Sequence, residues 1–374
     1  MKPDLKFIIS GGGTGGHIFP AIAIADALKR KLPHAHILFV GAKGRMEMEK
    51  VPAAGYQITG LWISGLQRRI TTQNLLFPIK VISAYIKARS IIHIFKPDAV
   101  IGVGGYASGP TLRAAISMKI PTIIQEQNSY PGITNKILAS GVKKICVAYE
   151  GMDKYFPAAR TVITGNPVRS DISDLKNKRT KALQFFGLQP EMPTLLVIGG
   201  SLGARTINES ILNSLSMLTA GGLQVIWQTG NAFAGIAAGA LDNDAHPAIR
   251  TFAFITRMDM AYAAADMIVS RAGAIAISEL CLVGKPAILV PSPNVAEDHQ
   301  TKNAMALAEK NAALLVRDNV AFAELGKQII TLANDTLLKQ QLSANIIQLA
   351  FPDAADRIAD EIIGCLKPIQ HKSK

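Results

Sequence analysis

Residues 11–17, Gly-Gly-Gly-Thr-Gly-Gly-His, form the segment of this chain whose residue types and spacing best suit chemistry. An apolar stretch at residues 7–9 precedes the run, and a helical pattern that starts near Pro20 follows it. Glycines allow a tight turn and let a ligand reach backbone N–H groups, and a helix N-terminus adds partial positive charge. Strand, glycine loop and helix in this order therefore predict a site for an anion such as phosphate.

His17 ends the run at the edge of the predicted anion site. A neutral imidazole there can take the proton of an attacking hydroxyl, which makes His17 a candidate general base. The alternative is a role in capping the helix. Gly11, Gly13 and Gly16 also match the dinucleotide pattern G-x-G-x-x-G. A dinucleotide-binding domain would place an acid at the end of the second strand, and residues 40–44 contain none, which argues against NAD.

Other candidate site residues follow later apolar runs, at positions where open α/β sheets bind ligands. Residues 199–204 form a second glycine loop, and residues 270–274 lead into a helix that carries Glu279. The Glu279 carboxylate can bind the vicinal hydroxyls of a ribose, whereas the alternative is a solvated helix residue. Arg169 is placed to contact phosphate or sugar at the junction of the two halves. The remaining candidate segments are residues 102–110, 126–128 and 298–300.

No metal site is predicted. Asp242 and Asp244 match the D-x-D pattern of metal-dependent sugar transfer, but their Gly- and Ala-rich surroundings favour an ordinary surface loop. No cluster of Cys, His or Asp has the spacing of zinc ligands. The three cysteines, Cys146, Cys281 and Cys365, are far apart in the sequence and are interpreted as buried thiols in a reducing cytosol.

The elements that must position these residues alternate between short apolar runs and helical patterns. Near-continuous apolar runs are typical of parallel strands that are buried on both faces, so the pattern predicts doubly wound α/β sheets. A polar stretch at residues 166–193 is predicted to connect two similar domains, which would face each other across a cleft. A last helix is predicted at about residues 353–366. The predicted strands are residues 7–10, 36–40, 99–103, 122–125, 144–148 and 161–164, then 194–198, 224–228, 251–254, 267–270, 287–290 and 313–316.

Composition supports a two-domain globular protein with anionic partners. The chain has 374 residues, a net charge of +13 and a mean hydropathy of +0.23. This length is typical of about two domains. The excess of basic residues favours nucleic acid, an acidic membrane surface or a phosphorylated substrate. Neither a secretory signal nor a run of the ~18 apolar residues that a membrane span requires is recognisable.

The positive charge is concentrated between residues 50 and 149, which contain twelve Lys and Arg residues and two acids. Apolar residues alternate with bases there, which suits docking on an anionic membrane surface. The alternative is a core helix with a solvated basic face, with about half of the apolar residues in the core. Nucleic acid is disfavoured, because few aromatic residues are available for base stacking. The predicted membrane patch comprises Leu75, Leu76, Ile79, Lys80, Ile82, Lys87 and Arg89.

Seven short motifs occur in an order that identifies a family resemblance. They are Gly12-Gly13-Thr14-Gly15-Gly16-His17, Gly104-Gly105-Tyr106-x-Ser108-Gly109-Pro110, Glu126-Gln127-Asn128, Gly165-Asn166-Pro167-Val168-Arg169, Gly199-Gly200-Ser201-x-Gly203-Ala204, Arg271-x-Gly273-Ala274 and Asp298-His299-Gln300. Over nearly its whole length the chain resembles the MurG family, the bacterial N-acetylglucosaminyltransferases of peptidoglycan synthesis.

The resemblance implies a GT-B fold, in which two Rossmann-like domains face a central cleft. Residues 1–165 would bind the acceptor and the membrane, residues 166–352 would bind UDP-N-acetylglucosamine, and residues 353–374 would pack back on the first domain. The implied partners are UDP-N-acetylglucosamine, polyprenyl-linked lipid I, an anionic membrane surface and other cell-wall synthesis proteins, without nucleic acid and without a cofactor. The implied location is the cytoplasmic face of the inner membrane, with roles in cell-wall biogenesis, cell shape and cell division.

The resemblance also implies roles for individual residues. Glu279 would hold the ribose, Ile255 would lie by the uracil, and the loop that begins at Arg271 would face the diphosphate. Ala272 and Leu202 depart from relatives that have serine and glutamine there, which leaves open a polar contact at residue 202. The acceptor and its pyrophosphate would be bound by Gly13, Gly104, Gly105, Tyr106 and Ser108. The donor would be bound by Thr14, Gly15, Gly16, Asn128, Arg169, Ser201, Ile255, Arg271, Gly273, Ala274, Ile275, Ala276, Ile277, Ser278, Glu279 and Gln300.

The expected reaction is a single displacement with inversion and without a bound metal. The C4 hydroxyl of the acceptor, deprotonated with help from His17, attacks C1 of the donor sugar. Backbone N–H groups, a helix N-terminus and Arg271 would stabilise the leaving UDP. Two alternatives stay open: another GT-B enzyme that uses UDP-N-acetylglucosamine, such as an epimerase or a soluble-acceptor transferase, and a non-catalytic protein that binds anionic lipid.

Overall fold

The computed structural model describes residues 4–65, 76–168, 172, 175, 177–200, 202–241, 248–295 and 298–366. Leu75, Arg169, Ser201 and the D-x-D segment 242–244, all singled out from the sequence, lie outside the described residues. The strands are β1 (Lys6–Ser10), β2 (His36–Ala42), β3 (Gln57–Leu61), β4 (Ala99–Gly102), β5 (Thr122–Glu126), β6 (Lys144–Val147), β7 (Thr161–Ile163), β8 (Thr194–Ile198), β9 (Gln224–Gln228), β10 (Ile249–Phe252), β11 (Met267–Ser270), β12 (Ala287–Leu289) and β13 (Leu314–Leu315).

Helices lie between most of these strands and after the last one. They are α1 (Gly15–Lys31), α2 (Glu47–Ala53), α3 (Phe77–Phe95), α4 (Ser108–Ser117), α5 (Ile133–Leu138), α6 (Arg179–Phe186), α7 (Arg205–Ala220), α8 (Asn231–Ala240), α9 (Met258–Ala264), α10 (Ala274–Val283), α11 (His299–Ala308), α12 (Ala321–Asn334), α13 (Thr336–Ile347) and α14 (Ala354–Gly364). Two turns of 3-10 helix, Met152–Lys154 and Ala158–Arg160, precede β7.

The chain divides into two compact units, each with its own parallel sheet. The first unit is Met1–Val168 with Asp353–Lys374, and the second is Arg169–Pro352. The first sheet has the strand order β3-β2-β1-β4-β5-β6-β7, and the second has the order β10-β9-β8-β11-β12-β13. In both sheets the strand order reverses beside the first strand, which is where doubly wound sheets bind ligands. The predicted α/β class with two doubly wound parallel sheets is confirmed.

The first sheet has a core on each of its faces. Successive side chains of a strand point to opposite sides, so neighbouring residues enter different cores. Ile8 packs in one core with Ala88 of α3 and Leu112 of α4. Its neighbour Phe7 packs in the opposite core with Leu28 of α1. Continuous apolar runs therefore form these strands, since both faces of each strand need apolar side chains.

The last helix, α14, contributes to the core of the first unit. Ile358 and Ile362 are fully buried in the core that also contains Phe7 and Leu28. Three ion pairs surround this apolar contact: Arg30–Asp356 at 2.9 Å, Lys31–Asp360 at 2.8 Å and Lys144–Glu361 at 3.3 Å. All three pairs are partly exposed, so burial of the two isoleucines contributes most of the stabilisation.

The three cysteines also lie in the interior. Cys146, Cys281 and Cys365 are buried free thiols, as predicted from their spacing. Loss of hydration raises the pKa of the Cys146 and Cys281 thiols to about 12. Both thiols therefore stay protonated near neutral pH, which suits a packing role rather than a reactive one.

Several predicted bounds are wrong. α1 begins at Gly15 rather than near Pro20, so His17 lies in the first turn of the helix and Pro20 lies inside it. The strand β3 was not predicted, because Gln57 and Gly60 interrupt its apolar pattern. β10 ends at Phe252, and β13 is reduced to two residues. The predicted last helix corresponds to α14, and the polar stretch 166–193 contains α6.

Candidate functional site

Two glycine loops of the first unit meet at the point where the strand order of its sheet reverses. β1 ends at Ser10 and β4 ends at Gly102, and these two residues are paired in the sheet. The chain continues from β1 into α1 through the first glycine loop, and from β4 into α4 through a second loop. Adjacent parallel strands carry their C-terminal loops to one edge of a sheet. The predicted acceptor residues Gly13, Gly104 and Gly105 therefore lie near one another and near His17.

The two loops approach so closely that side chains are excluded at their contact. A Cβ atom at Gly105 would lie 2.2 Å from the carbonyl oxygen of Gly12. A Cβ atom at Gly104 would lie 2.7 Å from Nε2 of His17. The φ angles of Gly104 and Gly105 are +90° and +86°, a region that other residues rarely adopt. The imidazole of His17 therefore rests directly against the backbone of the neighbouring loop.

His17 is held by the first glycine loop itself. Its Nδ1 lies 3.1 Å from the carbonyl oxygen of Gly12 and 3.3 Å from Oγ1 of Thr14. Thr14 precedes the helix in extended conformation and, with Gly16, is exposed. The first turn of α1 contains no acidic residue, so no carboxylate of the helix itself compensates the partial positive charge at its N-terminus. The arrangement can bind an anion and present an imidazole beside it.

Among the other predicted acceptor residues, Tyr106 is accessible and Ser108 is not. The Tyr106 side chain is half-exposed, and its ring would lie 3.8 Å from a Cβ atom at Gly13. Ser108 is fully buried at the start of α4, and its Oγ has no hydrogen-bond partner among the described residues. The backbone N–H of Gly13 donates to Glu47 at 2.9 Å. The Ser108 hydroxyl is thus buried and the Gly13 N–H is already bonded in this structure, whereas the pyrophosphate contacts expected of both residues stay predictions.

A buried carboxylate organises the loop that follows β5. Glu126 accepts the backbone N–H of Asn128 at 3.0 Å and the Asn128 side-chain amide at 3.3 Å. It also accepts hydrogen bonds from the N–H of Gly132 at 3.1 Å and from Asn135 Nδ2 at 2.8 Å. The two oxygens of a buried carboxylate require several donors, and here the loop supplies them. Asn128, a predicted donor contact, is thus fixed in place by Glu126.

The glycine loop of the second unit repeats the close packing of the first. It leaves β8 beside β11, where the strand order of the second sheet reverses. A Cβ atom at Gly203 would lie 2.1 Å from the carbonyl oxygen of Thr229, and the φ of Gly203 is +80°. Gln228 bridges two predicted segments, since its Nε2 donates to the Gly200 carbonyl and its Oε1 accepts the N–H of Ile255, both at 2.9 Å. Gln228 was missed in the sequence; its only signal is a polar residue at the end of an apolar strand.

The helix α10 presents its N-terminus after Gly273, with no acid in its first turn. The first intrahelical bond runs from the N–H of Ile277 to the Gly273 carbonyl at 2.9 Å. The N–H groups of Ala274, Ile275 and Ala276 precede it, and groups in these positions have no partner within their own helix. Such a terminus attracts a diphosphate. Ile255 and Ile277 have apolar side chains, and both side chains are buried.

Glu279 lies further along the same helix and is half-buried. Its Oε2 accepts a hydrogen bond from the hydroxyl of Tyr262 at 2.9 Å, and the Tyr262 side chain is fully buried. A carboxylate held in this way can still accept hydrogen bonds through its other lone pairs. Ser278 Oγ donates to the Ala274 carbonyl at 3.0 Å, and Gln300 Oε1 accepts the N–H of Ser292 at 2.9 Å. The Ser278 hydroxyl and the Gln300 oxygen are thus engaged within the protein.

The guanidinium of Arg271 is already engaged within the second unit. Its guanidinium forms an ion pair with Asp318, which lies near the start of α12, and it donates to the Val290 carbonyl at 2.9 Å. Both side chains are mostly buried. The other oxygen of Asp318 accepts the Thr206 hydroxyl at 3.0 Å. Arg271 therefore joins segments of the second unit through its pairing with Asp318, and the role expected of it in stabilising the leaving UDP stays a prediction.

The helix α3 leaves an apolar face uncovered. Ile79, Ile82 and Ile86 are 55%, 60% and 61% exposed, and Leu76 is also exposed. The Nζ of Lys80 donates to Ser64 Oγ, and the Nζ of Lys87 donates to the Gly60 carbonyl, both at 3.0 Å. Arg89 donates to the Tyr85 hydroxyl at 3.4 Å. The expectation that about half of the apolar residues are core is wrong for the described residues: Tyr85 packs against the core, whereas Leu76, Ile79, Ile82 and Ile86 are exposed. Among the described helices, none is both long and apolar enough to span a bilayer.

Similarity to known proteins extends over both units. The sequence profile of the Glycosyltransferase family 28 N-terminal domain matches residues 7–147, and that of the family's C-terminal domain matches residues 194–358. A protein of Cytophaga hutchinsonii named UDP-N-acetylglucosamine–N-acetylmuramyl-(pentapeptide) pyrophosphoryl-undecaprenol N-acetylglucosamine transferase is 57% identical over 362 residues, 97% of either chain.

Solved structures agree with this similarity. MurG of Acinetobacter baumannii has a TM-score of 0.78 and is 30% identical over 97% of this chain and 100% of its own. A UDP-GlcNAc 2-epimerase of Neisseria meningitidis, solved with UDP-GlcNAc, has a TM-score of 0.67 over 96% of this chain and 99% of its own. It is only 14% identical, so that likeness concerns the fold alone.

Proposed function

The chain belongs to glycosyltransferase family 28, and on this premise we propose that it transfers N-acetylglucosamine from UDP-N-acetylglucosamine to the C4 hydroxyl of undecaprenyl-pyrophosphoryl-muramoyl-pentapeptide. The observation that carries the proposal is the 57% identity, over 97% of both chains, with the transferase of C. hutchinsonii. An epimerase is disfavoured, because the epimerase fold is shared at only 14% identity.

In this proposal the second unit supplies groups of its own to bind the donor. The N-terminus of α10 offers the N–H groups of Ala274, Ile275 and Ala276 to the diphosphate of the nucleotide. Glu279, held by Tyr262, accepts hydrogen bonds from the ribose hydroxyls. The donor contacts that the family resemblance implies for Thr14, Gly15 and Gly16 stay a prediction. The diphosphate is stabilised by backbone dipoles, while Arg271 acts indirectly by holding its loop.

The first unit supplies the base. His17 accepts the proton of the acceptor C4 hydroxyl, and the hydroxyl oxygen forms a bond to C1 of N-acetylglucosamine. The bond between C1 and the diphosphate oxygen breaks, and its electron pair leaves with UDP, which inverts the configuration at C1. An imidazole in its neutral form, placed beside the glycine loops, can accept this proton. The dipole at the N-terminus of α1 attracts the pyrophosphate of the acceptor.

The lipid acceptor accounts for the uncovered apolar face of α3. We propose that Ile79, Ile82 and Ile86 insert into the interface of the cytoplasmic leaflet, with basic residues of the first unit attracted by anionic headgroups. The enzyme then works as a peripheral protein of the inner membrane and serves cell-wall synthesis. Such a position holds the first unit, which carries His17, at the surface where a membrane-anchored substrate lies.

The test is a UDP-release assay with UDP-N-acetylglucosamine and a short-chain polyprenyl acceptor. We expect release to require both substrates, to continue with a metal chelator present, and to fall about 10²–10⁴-fold in His17→Ala, as for loss of a general base. His34→Ala changes an exposed histidine of the same unit and serves as the control. If wild-type protein releases no UDP with both substrates, the transferase proposal fails. If His17→Ala stays within a few fold of wild type, the base is another group.

A further inference from the structure

Glu47 is a buried carboxylate beside the first glycine loop, and it belongs to none of the seven sequence motifs. It is the first residue of α2 and is 1% exposed. Its Oε2 accepts the backbone N–H of Gly13 at 2.9 Å, and its Oε1 accepts the backbone N–H of Ala42 at 2.9 Å. A buried carboxylate is costly unless donors satisfy it, and here backbone N–H groups of the first glycine loop and of the end of β2 do so.

The surrounding backbone leaves room for this side chain. A Cβ atom at Gly12 would lie 2.2 Å from Oε1 of Glu47, and one at Gly41 would lie 2.6 Å from its Cγ. The φ of Gly12 is +147°. Two glycines on different segments therefore form the space that the Glu47 side chain fills. A larger residue at either position would collide with that side chain.

The peptide unit that Glu47 holds also contacts His17. Its N–H belongs to Gly13 and faces Glu47, while its carbonyl belongs to Gly12 and lies 3.1 Å from His17 Nδ1. A carbonyl oxygen can only accept, so this contact requires the ring proton on Nδ1. In that tautomer Nε2 carries the lone pair. Because Nδ1 is then a donor, the hydroxyl oxygen of Thr14, 3.3 Å away, accepts from Nδ1 rather than donating to it.

We propose that Glu47 is a positioning residue that acts on His17 through the Gly12–Gly13 peptide. Its charge polarises the N–H of that peptide, which strengthens the carbonyl on the other side as an acceptor for Nδ1–H. The bond fixes the tautomer and the orientation of the ring, so that Nε2 is the atom that receives a proton. The catalytic consequence rests on the proposed role of His17 as the base, whereas the tautomer itself does not.

The proposal is tested on the full-length protein by nitrogen-15 NMR of labelled histidines, together with steady-state kinetics. The chain has seven histidines, and the spectrum of His17→Ala assigns the signal of His17. At about pH 8.5, two units above the usual histidine pKa, the ring nitrogen shifts distinguish the two neutral tautomers. We expect wild-type His17 to carry its proton on Nδ1.

Glu47→Gln removes the charge and leaves one oxygen for two backbone donors. We expect the Nδ1–H population of His17 to fall, and kcat to fall by about tenfold, a part of what a general base contributes, with the KM for UDP-N-acetylglucosamine within about twofold. Asp98→Asn is the matched control, since Asp98 accepts the backbone N–H of Lys6 at 2.8 Å at the other end of β1.

Two results would overturn the proposal. One is a wild-type His17 with its proton on Nε2, which needs no variant and so does not depend on how Glu47→Gln folds. The other is a folded Glu47→Gln protein whose His17 tautomer and kcat equal those of Asp98→Asn. Failure of the proposed transferase reaction is a separate outcome, because it appears as absent UDP release in wild type and leaves the tautomer measurement valid.

Discussion

One hydroxyl group, that of Tyr262, holds the carboxylate proposed to bind the ribose of the donor. Tyr262→Phe keeps the buried ring and removes the 2.9 Å hydrogen bond to Glu279. Because a bond of this kind contributes about 0.5–1.5 kcal/mol, we expect the KM for UDP-N-acetylglucosamine to rise about two- to tenfold. The KM for the lipid acceptor should stay unchanged, and both constants come from initial rates of UDP release.

A matched control exists in the first unit. The Tyr56 hydroxyl donates to Asp26 at 2.6 Å, so Tyr56→Phe loses the same kind of bond away from the donor residues. Its KM for the donor should equal that of wild type. Equal donor KM values for Tyr262→Phe and Tyr56→Phe would show that Tyr262 does not position Glu279 for the donor.

At this scale the sequence indicated the glycine loops and His17 but not the residues that hold them. Glu47 bonds to a residue 34 positions away, and Gln228 bonds to one 27 positions away. Such partners share no periodicity or motif, so only the fold reveals them. Arg271 illustrates the opposite case. Its position in a motif favoured phosphate binding, yet its guanidinium forms an ion pair with Asp318, which lies 47 residues further along the chain.

Among the elements, α3 offers the clearest measurement. The double variant Ile82→Glu with Ile86→Glu places two charges on its exposed face. We expect binding to vesicles that contain anionic lipid to weaken by at least about tenfold, since ~1.4 kcal/mol of lost apolar burial already suffices. Thermal stability should change little because both side chains are exposed in the free protein.

Ile236→Glu provides the comparison for this variant. Ile236 is also exposed, but it lies on α8 in the second unit. The Ile236→Glu variant adds one negative charge, whereas the α3 variant adds two. Once this difference is allowed for, its vesicle binding, measured by co-sedimentation, should stay close to wild type. If both proteins lose binding in proportion to added charge, electrostatics alone accounts for the association and α3 is not the membrane face.

Most strands could be predicted because a strand that is buried on both faces requires apolar residues at most positions. β8, β9 and β11 have the predicted bounds for this reason. β3 lies at the edge of its sheet, and its Gln-Ile-Thr-Gly-Leu sequence lacks such a run. The start of α1 was misjudged because Pro20 usually marks a first turn, whereas here the helix begins five residues earlier at Gly15.

For the whole molecule, the two units should respond to core substitutions separately. Ile362→Ala removes a fully buried side chain of α14 and should destabilise the first unit by about 2–5 kcal/mol. Ile329→Ala removes an equally buried side chain of the second unit. Calorimetry should show each variant lowering a different unfolding transition.

Asp356→Asn is the surface control for α14. It breaks the exposed pair with Arg30 and should cost less than about 1 kcal/mol. A single transition that Ile362→Ala and Ile329→Ala lower equally would mean that the two units unfold together. A cost for Asp356→Asn as large as that of Ile362→Ala would mean that the ion pairs, rather than the buried isoleucines, attach the helix.

The placement of α14 also determines the order in which the chain can fold during synthesis. The helix belongs to the first unit, yet the ribosome makes it after all of Arg169–Pro352. At usual elongation rates that interval is roughly 10–40 s. During this time the sheet surface that receives Ile358 and Ile362 is uncovered, while the second unit, continuous in sequence, can complete its core. Although its sheet is translated before the second unit, the first unit is therefore completed after it, and its nascent form is the one more in need of protection by a chaperone.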